Sequence, residues 1–177
     1  MNLDFIQEAE DCKLKAYLDI AGIPTIGWGS LYIYSAYYEP IVNSFTVPLK
    51  IKRKVRLTDE ISQTHADLLL REEAEGISSK ITALVTVPLN DNQILALTSF
   101  CYNLGVQSFK NSTLRKLINS GVQKHDISIE NNFRAWNKYH RDGKLFSNRG
   151  LTQRRVREYR LYCKEMEQTK WNPISNK

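Results

Sequence analysis

Residues 2–30 change from a helical pattern of hydrophobic positions to an extended one. Over residues 2–11, Leu3 and Ile6 lie on one side and acidic residues fill the rest, which predicts a short amphipathic helix. Residues 14–30 instead contain a turn sequence, a proline and two glycines that flank Trp28. These turn-forming residues predict short antiparallel strands joined by tight connections.

Residues 31–56 differ in character from the segments on either side. Four tyrosines crowd the start, β-branched residues dominate the middle, and five of the last seven residues, 50–56, are basic. Aromatic and β-branched residues favour extended backbone, so we predict that this segment is rich in β-strands. The basic run by itself indicates only a solvated surface.

From residue 58 onward the spacing of apolar residues is helical. Thr58, followed by two acidic residues, has the composition of a helix start, and the pattern continues to Val85 before Pro88 ends it. We therefore predict a long helix over residues 58–85. Four further helices are predicted over residues 91–102, 112–119, 128–139 and 151–167.

These elements predict an α+β fold that is mainly α, with the whole chain, residues 1–177, forming a single domain. We expect an N-terminal α+β lobe over residues 1–57, which contains the insertion 31–56. The helix 58–85 would connect it to a helical lobe over residues 86–177.

Composition excludes several classes of protein. Apolar residues make up 42% of the chain, enough for a core, yet no run of about 18 apolar residues is present, so no membrane insertion is expected. The N-terminus is acidic where an export signal is basic and apolar, so we expect no signal peptide and a cytoplasmic location. The three cysteines lack paired spacing, which favours reduced thiols.

The formal net charge of +6 indicates a polyanionic partner. Nucleic acid, anionic lipid and the anionic bacterial envelope all fit this charge. One alternative interpretation is a nucleic-acid-binding protein. Because no nucleic-acid recognition motif accompanies the basic run, no nucleic-acid partner is expected.

The most informative stretch for chemistry is residues 10–29. It places Glu10 at the end of a predicted helix, Asp19 at a strand turn and Thr25 on the following strand. Cleavage of a glycosidic bond needs one carboxylic acid that protonates the leaving oxygen and a second group that handles water or the sugar charge. Acids nine residues apart are common, so this spacing alone is weak evidence.

The same three residues, in this order and spacing, resemble the catalytic pattern of the phage-type lysozymes. The resemblance continues downstream and covers most of the chain except residues 31–56 and the C-terminal end. Its further matching segments are residues 14–17, 25–29, 87–97, 99–105, 112–114 and 150–158.

The resemblance implies a lysozyme-like two-lobed fold with a small β-hairpin lobe, a connecting helix and a helical lobe. It also implies an endolysin that hydrolyses the β-1,4 bonds between N-acetylmuramic acid and N-acetylglucosamine in peptidoglycan, for host lysis and phage release. In this reading Glu10 is the general acid, Asp19 stabilises charge on the sugar and orients water, and Thr25 holds that water. The usual stereochemical outcome is inversion, and no cofactor or metal is required.

Substrate-binding positions carried over from the resemblance are Leu31, Tyr102 and either Ser112 or Thr113. For each of them ordinary packing or helix capping is the competing interpretation. Arg154 and Arg155 either pair with a carboxylate near Glu10 or belong to a solvated helix face.

Two positions depart from the family pattern. Ser30 stands where the family often has histidine, and residues 31–56 form a long insertion beside the expected cleft. We hypothesise that the tyrosines and basic residues of the insertion extend contact with glycan, stem peptide or anionic envelope. Cys12 lies two residues after Glu10, and we assign it a structural role.

The expected partners are bacterial peptidoglycan and a holin that releases the protein to the wall, and we expect a monomer. Two further alternatives share the same resemblance. One is a catalytically inactive or regulatory peptidoglycan-binding protein. The other is a lytic transglycosylase, which also uses a carboxylic acid but forms an anhydro sugar instead of adding water.

Overall fold

The computed structural model describes residues 3–19, 22–38, 48–141 and 144–165. Helices predominate among these residues, and the strands named here form antiparallel two-stranded hairpins. This architecture confirms the expected α+β, mainly α fold class. The chain divides into two compact units, Asn2–Gly76 and Ile77–Lys177.

The N-terminal unit consists of one short helix, two hairpins and the first part of a long helix. Its elements are α1 (Asp4–Gln7), β1 (Lys13–Leu18), β2 (Pro24–Gly27), β3 (Tyr32–Tyr38), β4 (Pro48–Lys54) and α2 (Gln63–Leu84), of which α2 continues into the C-terminal unit. Strand β1 pairs with β2 and β3 pairs with β4. The predicted strands are therefore present, while residues 39–47 of the insertion lie outside the described residues.

Helix α1 is shorter than the predicted helix over residues 2–11. The amides of Ala9 and Glu10 donate to the carbonyls of Ile6 and Gln7, three residues earlier, at 3.0 and 3.2 Å. This tighter bonding is that of turns and not of a continuing α-helix, so the chain leaves the helix before Glu10.

The hairpins pack on α2 through a small apolar core. Ile26, Ile33, Val55 and Leu69 are buried together, and each contributes about 1.5–3 kcal/mol when fully removed from water. Gly27 ends β2 with a φ of +63°, and a Cβ atom there would lie 3.2 Å from the Cβ of Ala66. Glycine thus allows the hairpin backbone to approach the helix closely.

The predicted helix start at Thr58 is wrong, because α2 begins at Gln63. The hydroxyl of Ser62 accepts the amide proton of His65 at 3.2 Å, which is the bond that an N-cap makes. The serine therefore caps the helix, and Thr58 lies in a turn outside it.

Asp59, which the sequence suggested for the first helical turn, instead joins the two hairpins. Its carboxylate accepts two hydrogen bonds of 2.8 Å from the Arg53 guanidinium and one of 2.7 Å from the Arg56 amide. The bonds from Arg53 are the largest cause that lowers the pKa of Asp59 to about 2. Its carbonyl accepts the amide of Ala16 in β1, so this segment pairs with a strand and cannot begin a helix.

The C-terminal unit is a set of helices with one small hairpin. After the end of α2 its elements are α3 (Asp91–Leu104), α4 (Val106–Asn111), α5 (Thr113–Asn119), α6 (Ile127–Arg134), β5 (Lys138–Arg141), β6 (Lys144–Ser147) and α7 (Arg149–Cys163). The predicted helices over 91–102, 112–119 and 151–167 correspond to α3, α5 and α7, and residues 166–167 lie outside the described residues. The prediction over 128–139 is wrong at its end, because residues 138–141 pair with β6.

An aromatic cluster forms the centre of this unit. The ring of Phe100 contacts those of Phe109, Phe133 and Trp136 edge-on, with centroids 6.3, 5.5 and 5.9 Å away. Edge-to-face contacts of this kind add to the stabilisation from burial. The guanidinium of Arg155 lies 4.9 Å above Phe100, and this residue is fully buried.

Arg155 belongs to a buried ion network on α7. Oε1 of Glu158 accepts hydrogen bonds from Arg154 at 3.2 Å, from Nη2 of Arg155 at 3.0 Å and from the Ser99 hydroxyl at 2.8 Å. Nε of Arg155 also lies 2.9 Å from Oε2 of the same carboxylate as an ion pair. All four side chains are at most 9% exposed. The interpretation of the two arginines as a solvated helix face is therefore wrong, and they are part of the core of this unit.

Candidate active site

Glu10 follows α1 in a bend and lines an open depression in the N-terminal unit. Its side chain is half-buried. The depression has a volume of about 370 Å³, and carboxylates line much of it. Its lining residues are Glu8, Ala9, Glu10, Asp11, Lys13, Tyr17 and Gly29.

Asp19 lies directly after β1 and closes the turn of the first hairpin. Its amide donates to the carbonyl of Ile23 at 3.0 Å, and its carboxylate Oδ1 accepts the amide of Ile23 at 2.8 Å. The turn includes Gly22, whose φ of +75° suits glycine. These bonds fix the carboxylate at the hairpin tip, in place of a freely rotating side chain.

Thr25 lies on β2 and is buried, with 3% of its surface exposed. Its hydroxyl donates to the carbonyl of Ile23 at 2.9 Å. Because the single hydroxyl proton is used in this bond, the Thr25 oxygen can take a further hydrogen bond only as an acceptor.

Tyr17 lies near both Glu10 and Thr25. It lines the depression with Glu10 and is the cross-strand partner of Thr25. Burial is the largest cause that raises the pKa of its phenol, followed by the negative charges of Glu10, Asp19 and Asp11. Glu10 and Asp19 therefore both act on one phenol of the hairpin. Tyr17 ends one of the segments that resemble the family, residues 14–17, but it was not predicted as a site residue.

The turn that follows β2 carries the departure from the family pattern. Ser30 is buried, and its hydroxyl donates to the carboxylate of Glu73 on α2 at 3.4 Å. Its amide and carbonyl also pair with Ile26. Leu31 comes next and is 40% exposed, so it presents apolar surface beside this turn.

The other three sequence-derived binding positions belong to the C-terminal unit. Tyr102 on α3 is half-buried against the aromatic core. The hydroxyl of Ser112 caps α5 by accepting the amide of Arg115 at 3.1 Å, and it donates to the carbonyl of Phe109 at 2.8 Å. Thr113 is exposed. Of this pair, Ser112 has a capping role, and Thr113 is the one that solvent reaches.

The described ranges hold no group of three or more histidine, cysteine, aspartate and glutamate side chains arranged to bind a metal ion. Within the same ranges, every helix is too short or too polar to span a bilayer.

The sequence of this chain is similar to those of a known protein family and of two phage proteins. The model of the phage lysozyme family matches residues 7–158. The endolysin of Acyrthosiphon pisum secondary endosymbiont phage 1 is 30% identical over 160 residues, which cover 90% of this chain and 93% of that protein. The endolysin of Salmonella phage P22 is 31% identical over 157 residues, covering 89% and 91% respectively.

A solved structure shows the same fold. The endolysin of Escherichia coli O157:H7 phage FAHEc1 superimposes with a TM-score of 0.72 at 29% identity, over 91% of this chain and 89% of that one. The expected lysozyme-like fold is thereby confirmed. The matched range contains Glu10, Asp19 and Thr25 together with the binding positions derived from the sequence.

Proposed function

The chain belongs to the phage lysozyme family, and on this premise we propose that it hydrolyses the β-1,4 bonds between N-acetylmuramic acid and N-acetylglucosamine in bacterial peptidoglycan. The reaction would serve host cell lysis and phage release. The observation that carries this proposal is the open depression that Glu10 lines together with Tyr17, the cross-strand partner of Thr25, in a hairpin whose turn holds the carboxylate of Asp19.

Glu10 is the proposed general acid. It lines a depression open enough for a polymer, and several negative charges surround it. A carboxylic acid that donates its proton to the glycosidic oxygen makes the sugar a better leaving group.

Asp19 and Thr25 are the proposed partners on the other side of the reaction. The turn holds the Asp19 carboxylate in one orientation, where its negative charge would stabilise the positive charge that develops on the sugar ring. Thr25 would accept a hydrogen bond from the attacking water, because its own proton is used by Ile23. A water held in this way attacks from the face opposite the leaving group and passes its proton to the Asp19 carboxylate, which gives inversion.

Substrate contacts are proposed for Leu31 and Thr113, which are exposed, and for Tyr102, which is half-buried. Aromatic and apolar side chains pack on the faces of sugar rings, and hydroxyls bond to their polar edges. Ser112 is a weaker candidate for substrate contact than Thr113, because the Ser112 hydroxyl already makes two hydrogen bonds inside the C-terminal unit.

The stereochemistry of the first product tests this mechanism. We expect proton NMR of early reaction mixtures with purified peptidoglycan to show the α-anomer at the new reducing end. The bond cleaved is β, and a single displacement by water inverts it. An early β-anomer would contradict the role of Asp19 and Thr25 in holding water. A product with no reducing end would indicate a lytic transglycosylase, and no soluble product would indicate a wall-binding protein without catalysis.

The second hairpin is proposed to strengthen attraction to the anionic wall. Lys52, Lys54 and Arg56 are exposed at its base, and the ammonium of Lys52 lies 4.7 Å from the ring centre of Tyr32. In the strand register Tyr32 is opposite Lys54. Positive charge beside an exposed aromatic ring suits a polymer that combines sugar rings with anionic groups.

Charge reversal at this hairpin should slow attack on intact walls. We expect the double variant Lys52→Glu/Lys54→Glu to lower kcat/KM on cell walls about 10-fold at low ionic strength, with a smaller loss at high salt, where screening weakens attraction. The matched control, Lys80→Glu/Lys116→Glu, makes the same change in net charge at exposed positions of the other unit. Equal losses in both variants would mean that only net charge matters and that the hairpin has no special role.

We further propose that the protein is a monomer that remains in the host cytoplasm until a holin gives it access to the wall. Sedimentation of the purified protein tests the first part. Lysis by the chain expressed with and without a pore-forming protein tests the second.

A further inference from the structure

One carboxylate oxygen on α2 receives hydrogen bonds from three separate side chains. Oδ1 of Asp67 accepts from Nε1 of Trp28 at 2.8 Å, from Nε2 of Gln63 at 2.9 Å and from Nε2 of Gln7 at 3.2 Å. Hydrogen bonds to an ionised carboxylate are stronger than those between neutral groups. Asp67 therefore holds together three parts of the N-terminal unit that are distant in sequence.

Two of these donors belong to the parts of the chain that surround Glu10. Gln7 is the last residue of α1, and its carbonyl accepts the amide of Glu10 at 3.2 Å. Trp28 precedes Gly29, which lines the same depression as Glu10. The bonds to Asp67 thus attach the segment before Glu10 and the turn beside it to one point on a long helix.

The segment after Glu10 is attached to the same helix. The thiol of Cys12 lies 3.7 Å from Oε1 of Gln63 and donates to it, while Nε2 of the same Gln63 side chain donates to Asp67. Residues 7–12 are therefore connected to the first turns of α2 at both ends. The structural role assigned to Cys12 from the sequence is consistent with this contact.

These attachments matter for Glu10, because the backbone around it does not belong to a regular helix or strand. Helix α1 has four residues, and residues 8–12 have turn, bend or irregular backbone. An isolated helix of one turn is not stable. A catalytic group has to be held to within about 0.5 Å of its productive position, and a misplacement of about 1 Å can lower the rate roughly 100-fold.

We propose that Asp67 is a positioning residue that fixes Glu10 relative to the first hairpin through Gln7 and Trp28. This inference rests on the proposed role of Glu10 as the general acid. Asp67 itself is not proposed to touch the substrate. It sets where the acid lies, so its loss should affect the chemical step and not the binding of the polymer.

The test compares Asp67→Ala and Asp67→Asn with the wild type on purified peptidoglycan. We expect Asp67→Ala to lower kcat roughly 10- to 100-fold with KM changed less than about twofold. Asp67→Asn keeps a carbonyl acceptor and should recover part of the lost kcat. Glu75→Ala, which removes a negative charge from an exposed position on the same helix, is the matched control and should leave kcat unchanged.

A variant that fails to fold is replaced by a milder one. Gln7→Met removes only the bond from α1 to Asp67, keeps the side-chain length, and should still lower kcat several-fold. Near-ultraviolet circular dichroism at the assay temperature confirms that each variant is folded. Wild-type kcat in folded Asp67→Ala or Gln7→Met would overturn the positioning role. A rise in KM with no change in kcat would overturn it as well.

These outcomes are separable from failure of the proposed function. If the wild type is active, Glu10→Gln is inactive and folded Asp67→Ala is fully active, only the positioning role is wrong. If the wild type is inactive, or if Glu10→Gln is as active as the wild type, the assignment of Glu10 is wrong and the positioning role is overturned with it.

Discussion

Replacing Glu10 by glutamine is expected to lower the rate of peptidoglycan cleavage by about 10²–10⁴-fold, the contribution typical of a positioned general acid. Glutamine has nearly the same size and can still form hydrogen bonds, but its amide cannot transfer a proton to the leaving oxygen. KM should change little, because the substitution leaves the shape of the depression unchanged. The measurement is the initial rate of reducing-end release from purified peptidoglycan.

Glu60→Gln is the matched control for this substitution. Glu60 is exposed, pairs with Lys15 at 3.6 Å and does not line the depression that contains Glu10. It belongs to the same unit and undergoes the same chemical change, so it should retain the wild-type rate. Wild-type activity in Glu10→Gln would place the acid elsewhere, and the two other carboxylates of the depression, Glu8 and Asp11, would be examined next.

The largest expected effect on stability is at Glu158. Replacing it by alanine should lower the free energy of unfolding by about 3–5 kcal/mol, because Arg154 and Arg155 would remain buried without their shared carboxylate. Burial makes this pairing essential, since water cannot reach the guanidinium groups to replace it. Urea denaturation followed by circular dichroism measures the change.

A second glutamate–arginine pair with the same spacing provides the comparison. Glu130 and Arg134 form an i,i+4 pair on α6, but their side chains are 25% and 42% exposed. Pairs that solvent reaches contribute at most about 1 kcal/mol, so Glu130→Ala should be several-fold less destabilising than Glu158→Ala. Equal effects of the two substitutions would contradict the structural importance assigned to the buried network.

The sequence predicted elements well where hydrophobic periodicity and capping agreed. Helix α3, predicted over residues 91–102, begins directly after Asn90. The Asn90 side chain accepts the backbone amide of Gln93, and the Gln93 side chain accepts the backbone amide of Asn90. The first hairpin was predicted from its turn residues and glycines. In both cases the signal is local, because the residues that specify the element belong to it.

Predictions failed where distant residues decide the structure. Thr58 and its acidic neighbours have a helix-start composition, yet Asp59 bonds to Arg53 and Ala16, so the segment pairs with a strand. Residues 138–139 were assigned to a helix, but they pair with β6. A local pattern does not contain the tertiary partner that overrides it.

The candidate site divides in the same way. Glu10, Asp19 and Thr25 were proposed from a motif in the sequence, whereas Tyr17 was identified as a site residue only because it lines the depression with Glu10 and pairs across the strands with Thr25. Asp67 lies 57 residues after Glu10 in sequence. No spacing or composition signal connects the two, because their link depends on side chains from α1, the hairpin turn and α2 that meet only in the folded unit.

The role of Glu10 in hydrolysis is tested most directly by the release of soluble fragments from purified peptidoglycan by the wild type and by Glu10→Gln, assayed side by side with both proteins shown to be folded. We expect rapid release with new reducing ends by the wild type and almost none by the variant. Failure of the folded wild type to release any fragment would contradict the assignment of hydrolytic activity, and equal release by both proteins would contradict the assignment of the acid to Glu10.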